Sequence, residues 1–240
     1  MRGSRHVNHV ALIAVFVAVG CGDDSSTSPT DTLVVADGGA ISSSFKSLTQ
    51  YSVAKGEMSL ETDTTGSATK VELLADGKVV ASATTAPFTI KWDTTSQADG
   101  VVKLSLKAHG ATSEEIPVVV LNNGEAVAFT EGETQTMTIV ANTDTDVKVH
   151  WTMPAGVKKV IGVLFWKNAE FKLEIAIGTG NCPHSGETAA SNTSDTSPVV
   201  TEFGGTTNLA SVMWFSHAKV MNTGLEGKST ELTFKAFLLK

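Results

Sequence analysis

Cysteine is scarce in this 240-residue sequence, which contains two, Cys21 and Cys182. Small secreted domains that are stabilised by disulfide bonds contain several pairs of cysteines. Such a framework is excluded, and any folded body must be held together by its core. With 41% hydrophobic residues, the chain is apolar enough to build one.

Positive charge is also in short supply, with 18 Lys and Arg against 25 Asp and Glu, for a net charge of −7. An anionic chain repels phosphate backbones, so nucleic acid is excluded as a partner. The sequence also lacks the G-x-S-x-G, H-E-x-x-H and G-x-x-x-x-G-K-[ST] spacings that position a nucleophile, a zinc ion or a phosphate. We therefore expect a protein that is not an enzyme and has no cofactor.

Long hydrophobic runs are missing, and the longest charge-free apolar stretch, residues 10–20, has eleven residues. As a helix it would cover about 17 Å, roughly half of a bilayer core. It follows the cationic residues Arg2 and Arg5. This arrangement predicts a signal peptide over residues 1–20 rather than a membrane span.

The four residues Ala18-Val19-Gly20-Cys21 resemble the lipobox of bacterial lipoproteins, although that family usually has Leu where this chain has Ala18. The resemblance implies that Cys21 carries acyl chains, palmitate among them. Acyl chains contribute about 0.8 kcal/mol per buried methylene and anchor a protein without a spanning helix. The alternative is an ordinary secretory signal followed by an incidental cysteine.

After the lipidated Cys21, residues 22–32 read GDDSSTSPTDT, which is polar and acidic. This composition predicts that residues 21–32 form a short disordered tether between the membrane and a folded body. In some lipoproteins an Asp directly after the cysteine retains the protein at the inner membrane. Gly22 stands there in this chain, so we expect anchoring in the outer membrane, facing the periplasm or the cell surface.

Residues 33–122 contain short segments in which apolar and polar residues alternate, which is typical of half-buried strands. Asp76-Gly77 lies between two of them and predicts a type I′ hairpin, because that turn needs positive φ at both central positions. The segments number six and predict a β-sandwich; they are residues 57–62, 70–75, 78–84, 88–92, 102–108 and 116–121.

The motifs KVELLADGK (70–78), APFTIKWDTT (86–95) and ADG (98–100) together resemble bacterial Ig-like domains. The resemblance implies an Ig-like sandwich without the antibody disulfide, in a spacer, adhesion or accessory role. Trp92 could present a platform for a sugar ring. Phe88, Ile90 and Trp92 follow one another at intervals of two residues, so they share one face of a strand. This spacing favours packing of Trp92 in the core.

Residues 125–240 predict a second, jelly-roll-like β-sandwich with longer strands. Residues 160–166 are apolar on both faces and predict a central strand covered twice. The turn at Pro154 and Gly156 before it is similar to that of pre-peptidase C-terminal-type sandwiches, which implies shape only, because their acidic strand is missing. The candidate strands are residues 126–130, 136–141, 147–153, 160–167, 171–177, 199–203, 210–220 and 230–239.

Residues 178–198, rich in Gly, Ser, Thr and Asn, are predicted to form a long loop, and loops of that length are often functional. Cys182 and His184 make it the candidate binding loop. A metal site would need this pair to converge with other histidines, and a thiol enzyme would need Cys182 beside a histidine base. The more ordinary interpretation is an inert loop thiol and separate histidines; after the predicted signal peptide, the other histidines are His109, His150 and His217.

Trp151, Trp166 and Trp214 could line a carbohydrate-binding face, but they stand within apolar strands, which favours core packing. The run 142–146 has calcium-like spacing without the glycine and distal glutamate of a calcium loop, so a polar turn is favoured.

Taken together, these features predict an all-β cell-envelope lipoprotein with two tandem β-sandwiches, residues 33–122 and 125–240. The first expectation is a non-catalytic binding, adhesion or scaffolding module whose partner is a protein or glycan surface. The alternative is a carbohydrate-binding or accessory domain serving a secreted hydrolase. A third hypothesis is a small metal- or thiol-dependent enzyme.

Overall fold

A computed structural model describes residues 41–129, 134–144, 146–180 and 187–240. Apart from one 3-10 helix, Thr94–Ser96, the regular structure in these ranges consists of β-strands, so the expected all-β class is confirmed. The strands are β1 Ser43–Phe45, β2 Val53–Ala54, β3 Glu57–Thr64, β4 Val71–Ala75, β5 Lys78–Ala83, β6 Thr89–Asp93, β7 Gly100–Ala108, β8 Ala111–Thr112, β9 Ile116–Val120, β10 Glu125–Ala126, β11 Thr134–Val140, β12 Asp146–Thr152, β13 Lys159–Trp166, β14 Leu173–Thr179, β15 Glu187–Ser194, β16 Val199–Gly204, β17 Met213–Val220 and β18 Ser229–Leu239.

The first sandwich packs the sheet β1-β3-β6 against the sheet β2-β9-β7-β4-β5, with β8 added to β7. Alternating residues from both sheets meet in one core, because successive side chains of a strand point to opposite faces. Trp92, Ile90 and Phe88 are at most 6% exposed within that core. The prediction that Trp92 is a core residue is therefore confirmed.

The hairpin between β4 and β5 has the expected turn. Ala75 pairs with Lys78 across a two-residue loop. Both loop residues have positive φ, 48° at Asp76 and 76° at Gly77. These values are those of a type I′ turn, as the Asp-Gly pair predicts. Hairpins favour this turn because its twist matches that of the flanking strands.

The second sandwich packs the sheet β10-β18-β13-β16, with β11 also paired to β18, against the sheet β12-β17-β14-β15. The rings of Trp151 and Trp214 stack in its core at a centroid distance of 5.9 Å. Trp166 is also buried there. The core interpretation of these three tryptophans is confirmed.

Strand β13 is covered on both faces, as its sequence predicts. Val160 and Leu164 point into the core of the second sandwich. Ile161 and Val163, on the opposite face, pack with Val119 of β9 in the first sandwich. The second face of β13 is thus covered by the first sandwich. The residue pattern of a single strand predicts burial of this face but cannot identify what buries it.

The prediction of an unbroken loop over residues 178–198 is wrong. Residues Glu187–Ser194 form β15, which pairs with β14 along its length. This strand could not be recognised because its residues are small or polar and do not alternate between apolar and polar. Such a composition is typical of a strand at a solvated sheet edge. Asn192 Nδ2 donates to the carbonyl oxygen of Val200 at 2.8 Å and ties this edge to β16.

Other differences concern strand ends and very short strands. The strand predicted over 126–130 is shorter, Glu125–Ala126, and that predicted over 210–220 begins at Met213. Strands β1, β2 and β8, each of two or three residues, are too short to show a period. The described residues contain no helix with both the length and the apolar character needed to cross a bilayer.

Candidate binding surfaces

The three residues proposed from the sequence as sites, Cys21 for lipidation and Cys182 and His184 in the candidate loop, lie outside the described residues. Three histidines lie within the described residues. His109 occupies the turn between β7 and β8, with φ of 47°. His150 and His217 lie on the neighbouring strands β12 and β17 of the second sandwich.

His217 is paired with a carboxylate rather than with other histidines. Its Nε2 lies 3.0 Å from Asp146 Oδ2, and its side chain is 13% exposed. Burial lowers the pKa of His217 from its ordinary value, and the opposing attraction of Asp146 does not compensate. Burial therefore favours the neutral form of this imidazole. Within the described ranges, no three His, Cys, Asp or Glu side chains are grouped so that they could hold a metal ion.

The same outward face of the sheet carries a shielded aromatic ring. Phe215 is 3% exposed although it points away from the tryptophan core. Lys148 Nζ lies 5.4 Å from its ring centroid, and the His150 ring stands edge-on to it at 6.5 Å. Asp146, Lys148, His150, Phe215 and His217 form a polar surface that we call the histidine face. Its aromatic ring is already covered by neighbours, so a ligand would have to displace them.

A second feature is the connection between the sandwiches, which is held by one carboxylate. Asp99 Oδ1 accepts a hydrogen bond from the backbone N–H of Asn122 at 2.8 Å. Asp99 Oδ2 accepts from those of Asn123 at 3.0 Å and Gly124 at 2.7 Å. Three successive donors on one carboxylate fix the path of the chain as it leaves the first sandwich.

The side chain of Asn122 adds a second clamp. Its Nδ2 donates to the carbonyl oxygens of Thr94 at 2.6 Å and Gln97 at 3.1 Å. Its Oδ1 accepts from the Thr94 hydroxyl at 2.7 Å. At Gly124 a Cβ atom would collide with the backbone oxygen of Leu238 and lie 2.8 Å from Leu121 Cδ2. The linker is therefore packed against both sandwiches, with no room for a side chain at Gly124.

Beyond the linker, the outer faces of the two sandwiches meet in an apolar junction. We call its fully packed members the junction cluster: Val119, Leu121, Ile161, Val163, Phe237 and Leu239. Each is at most 7% exposed. Separating the sandwiches would expose all six, at a cost on the order of 10 kcal/mol. Consistent with this, the described residues of both sandwiches belong to one compact unit.

At the edge of this junction lies an open cleft of about 420 Å³. Thr49 and Gln50 line it from the first sandwich, and Phe165, Thr233 and Lys235 line it from β13 and β18. This cleft could not be predicted from the sequence, because its residues are far apart in the chain. Among its residues, only the apolar Phe165 on the second face of β13 indicated that this face is packed against another part of the protein.

The first sandwich also has a recognisable sequence relationship. Residues 57–106 match the family model described as the bacterial Ig domain. This range contains the motifs in residues 70–104 that resemble the family. The expected Ig-like resemblance is confirmed for this segment, which spans β3 to most of β7.

Several solved structures are similar to the chain at low sequence identity. The fibronectin(III)-like modules of Clostridium thermocellum CbhA are 15% identical, with a TM-score of 0.30, over 69% of this chain and 80% of that one. Carbohydrate-binding modules of the β-sandwich superfamily are 7% identical, with a TM-score of 0.29, over 82% and 97%. A β-glucuronidase of Bacteroides uniformis is 11% identical, with a TM-score of 0.24, and the match covers 78% of this chain but 28% of the enzyme. Among curated proteins, none matches the chain significantly.

Proposed function

We propose that the protein is a lipid-anchored component of a bacterial cell envelope, in the outer membrane, that acts by non-catalytic binding, adhesion or scaffolding. The observation that carries this proposal is the junction between the sandwiches. A buried junction cluster and a clamped linker join the two sandwiches, and we infer from this packing that they move as one rigid body. A rigid body attached to the membrane through a lipid anchor would present its binding surfaces at a fixed mutual orientation.

The Ig-like segment supports a binding role. Sandwiches of this kind present loops at their ends while the sheets supply a stable frame, so function resides in surfaces rather than in the fold. The lipid anchor is inferred from Cys21 in its lipobox-like setting. With two acyl chains or more, attachment to the membrane would be stable.

The second candidate function is that of a carbohydrate-binding or accessory domain for a separate hydrolase. The four tryptophans are each at most 6% exposed, so they do not offer their faces to sugars. The third hypothesis, a metal- or thiol-dependent enzyme, depends on Cys182 and His184. Metal analysis of the purified protein, with Cys182→Ser as the variant, tests it directly.

The anchor is tested by fractionating cells that express the wild-type chain or Cys21→Ser, with Cys182→Ser as a matched control. We expect the wild type and Cys182→Ser in the membrane fraction, labelled by a palmitate analogue. Cys21→Ser should be unlabelled and should leave the membrane. Labelling that persists in Cys21→Ser, or an unmodified amino terminus in the wild type by mass spectrometry, contradicts the anchor.

Binding is tested by cross-linking on intact cells, followed by recovery of the anchored chain and its partners. A partner captured by the wild type, and released when surface residues of the rigid body are changed, supports the proposal. A glycan array with the same protein separates the first two functions. Capture of nothing beyond abundant envelope proteins, with no bound glycan, contradicts both.

A further inference from the structure

The linker between the sandwiches contains the one Asn-Gly pair of the sequence, Asn123-Gly124. In such a pair the backbone nitrogen of the glycine can attack the side-chain carbon Cγ of the asparagine, because glycine has no side chain to hinder the approach. Asparagine is thermolabile in proteins for this reason. Every other asparagine of the chain precedes a residue that has a side chain. Asn123 is therefore the asparagine whose covalent chemistry is least hindered.

The side chain of Asn123 is exposed and plays no part in holding the linker. The backbone N–H of this residue donates to Asp99 Oδ2 at 3.0 Å, but its side-chain amide has no hydrogen bond to any described residue. The neighbouring Asn122 differs, because its amide is bound to Thr94 and to Gln97. The Cγ atom of Asn123 is therefore open to attack and accessible to water.

The attacking nitrogen, in contrast, is restrained by the clamp. The N–H of Gly124 donates to Asp99 Oδ2 at 2.7 Å. The nitrogen can attack only after it has lost this proton, and a hydrogen bond to a carboxylate stabilises the N–H form. Gly124 is also buried, and its Cα lies so close to the backbone oxygen of Leu238 that a Cβ would collide with it. Loss of the proton and rotation towards Cγ therefore both require the clamp to open.

We propose that Asn123 is a site of deamidation and that Asp99 controls its rate by holding the nitrogen of Gly124. When the clamp opens, the Gly124 N–H loses its proton to water and the nitrogen forms a bond to Cγ of Asn123. The side-chain NH₂ group takes up a proton and leaves as ammonia. Water then opens the resulting succinimide ring at either carbonyl, which gives aspartate or isoaspartate at position 123. Water is the co-reactant, and nothing is oxidised or reduced.

Either product would release the linker. Aspartate at position 123 adds a negative charge beside Asp99, and like charges at short range repel each other. Isoaspartate adds a methylene to the backbone between the N–H groups of residues 123 and 124, which both donate to Asp99 Oδ2. The tight packing at Gly124 leaves no room for this extra length. The reaction would thus turn a clamped linker into a looser one irreversibly. It goes beyond the proposed binding function and requires neither a partner nor the lipid anchor.

The test is incubation of the full chain in detergent at mildly alkaline pH, followed by peptide mapping with mass spectrometry. The same chain unfolded in urea is the reference. We expect Asn123 to deamidate in urea and to react at least about tenfold more slowly in the folded chain, a factor equivalent to one hydrogen bond to a charged group. Asn208, which is also exposed but precedes Leu209, is the internal control and should remain intact in both states.

Variants separate the clamp from general stability. Asp99→Ala should raise the rate at Asn123 in the folded chain by about tenfold. Asp93→Ala, which loses a cap outside the linker, should leave the rate unchanged. Leu73→Ala, in the core of the first sandwich, destabilises the fold without touching the clamp and should also leave it unchanged. If Asp99→Ala does not fold, Asp99→Asn, which keeps an acceptor oxygen without the charge, should still raise the rate.

The consequence for the linker is tested by hydrogen exchange. Asn123→Asp reproduces one product and should reduce the protection of residues 121–124, whereas Asn123→Gln keeps a neutral amide and should retain it. Equal rates at Asn123 in the folded wild type, in Asp99→Ala and in urea would show that Asp99 does not control the reaction. Absence of deamidation at Asn123 in urea would overturn the site itself. Full linker protection in Asn123→Asp would show that the modification does not release the linker.

Discussion

Removing the Asp99 carboxylate is expected to loosen the connection between the two sandwiches. Asp99→Ala leaves the N–H groups of Asn122, Asn123 and Gly124 without their acceptor. A hydrogen bond to a charged group contributes about 1.5–3 kcal/mol, and the exposed Asn123 N–H would regain water. We therefore expect the free energy of unfolding to fall by about 2–4 kcal/mol, less than three independent bonds would give.

The matched control is Asp93→Ala. Asp93 is also an aspartate of the first sandwich, but it accepts from one backbone N–H, that of Thr95 at 2.9 Å, where it caps a short 3-10 helix. Loss of this cap should cost about 1 kcal/mol. Chemical denaturation measures both variants.

The loss of stability in Asp99→Ala should be localised to the linker. Amides of residues 121–124 should lose protection from hydrogen exchange in Asp99→Ala and retain it in Asp93→Ala. If Asp99→Ala costs no more than Asp93→Ala, or if linker protection is unchanged, the carboxylate does not clamp the linker.

Three further predictions concern the junction, the linker and the histidine face. Ile161→Ala leaves a cavity in the junction cluster and should lower the free energy of unfolding by about 2–5 kcal/mol. The control Val79→Ala, at a site that is 55% exposed, should change it by less than about 0.5 kcal/mol. Equal effects of the two variants in chemical denaturation would contradict a packed junction. Gly124→Ala should lower the melting temperature, because its Cβ would collide with the backbone oxygen of Leu238. The control is Gly205→Ala, where an added Cβ has nothing within 4 Å. Equal melting temperatures of the two variants would show that the linker can accommodate a side chain at Gly124. The folded-state pKa of His217 lies below its unfolded value, so the unfolded chain binds the proton more readily and stability should fall as pH drops from about 6.5 through the folded pKa. His217→Gln should remove this part of the pH dependence, and an NMR titration that gives His217 a pKa above 6.5 would contradict the burial argument.

Local signals predicted local structure well. The β4–β5 hairpin follows from Asp76-Gly77, because two adjacent residues with positive φ determine the turn and the register beside it. The core positions of Trp92 and Trp151 follow from their spacing within alternating strands. Strand β13, apolar on both faces, predicted its double burial even though its second partner could not be named.

Features that depend on distant residues escaped prediction. Strand β15 has little apolar surface and is held by pairing with β14, which no period of its own reveals. The Asp99 clamp joins residues that are 23 to 25 positions apart. The cleft brings Gln50 and Lys235 together from opposite ends of the described chain. Such proximity is set by the docking of the two sandwiches, which composition and periodicity do not encode.

The rigid docking of the sandwiches is tested most directly by residual dipolar couplings of the full chain in an aligned medium. Couplings from residues 57–120 and from residues 146–239 of the described ranges should fit a single alignment tensor of the same magnitude and orientation. Two tensors that differ in magnitude or orientation would show that the sandwiches move independently, and the junction would then not be the rigid element that carries the proposed function.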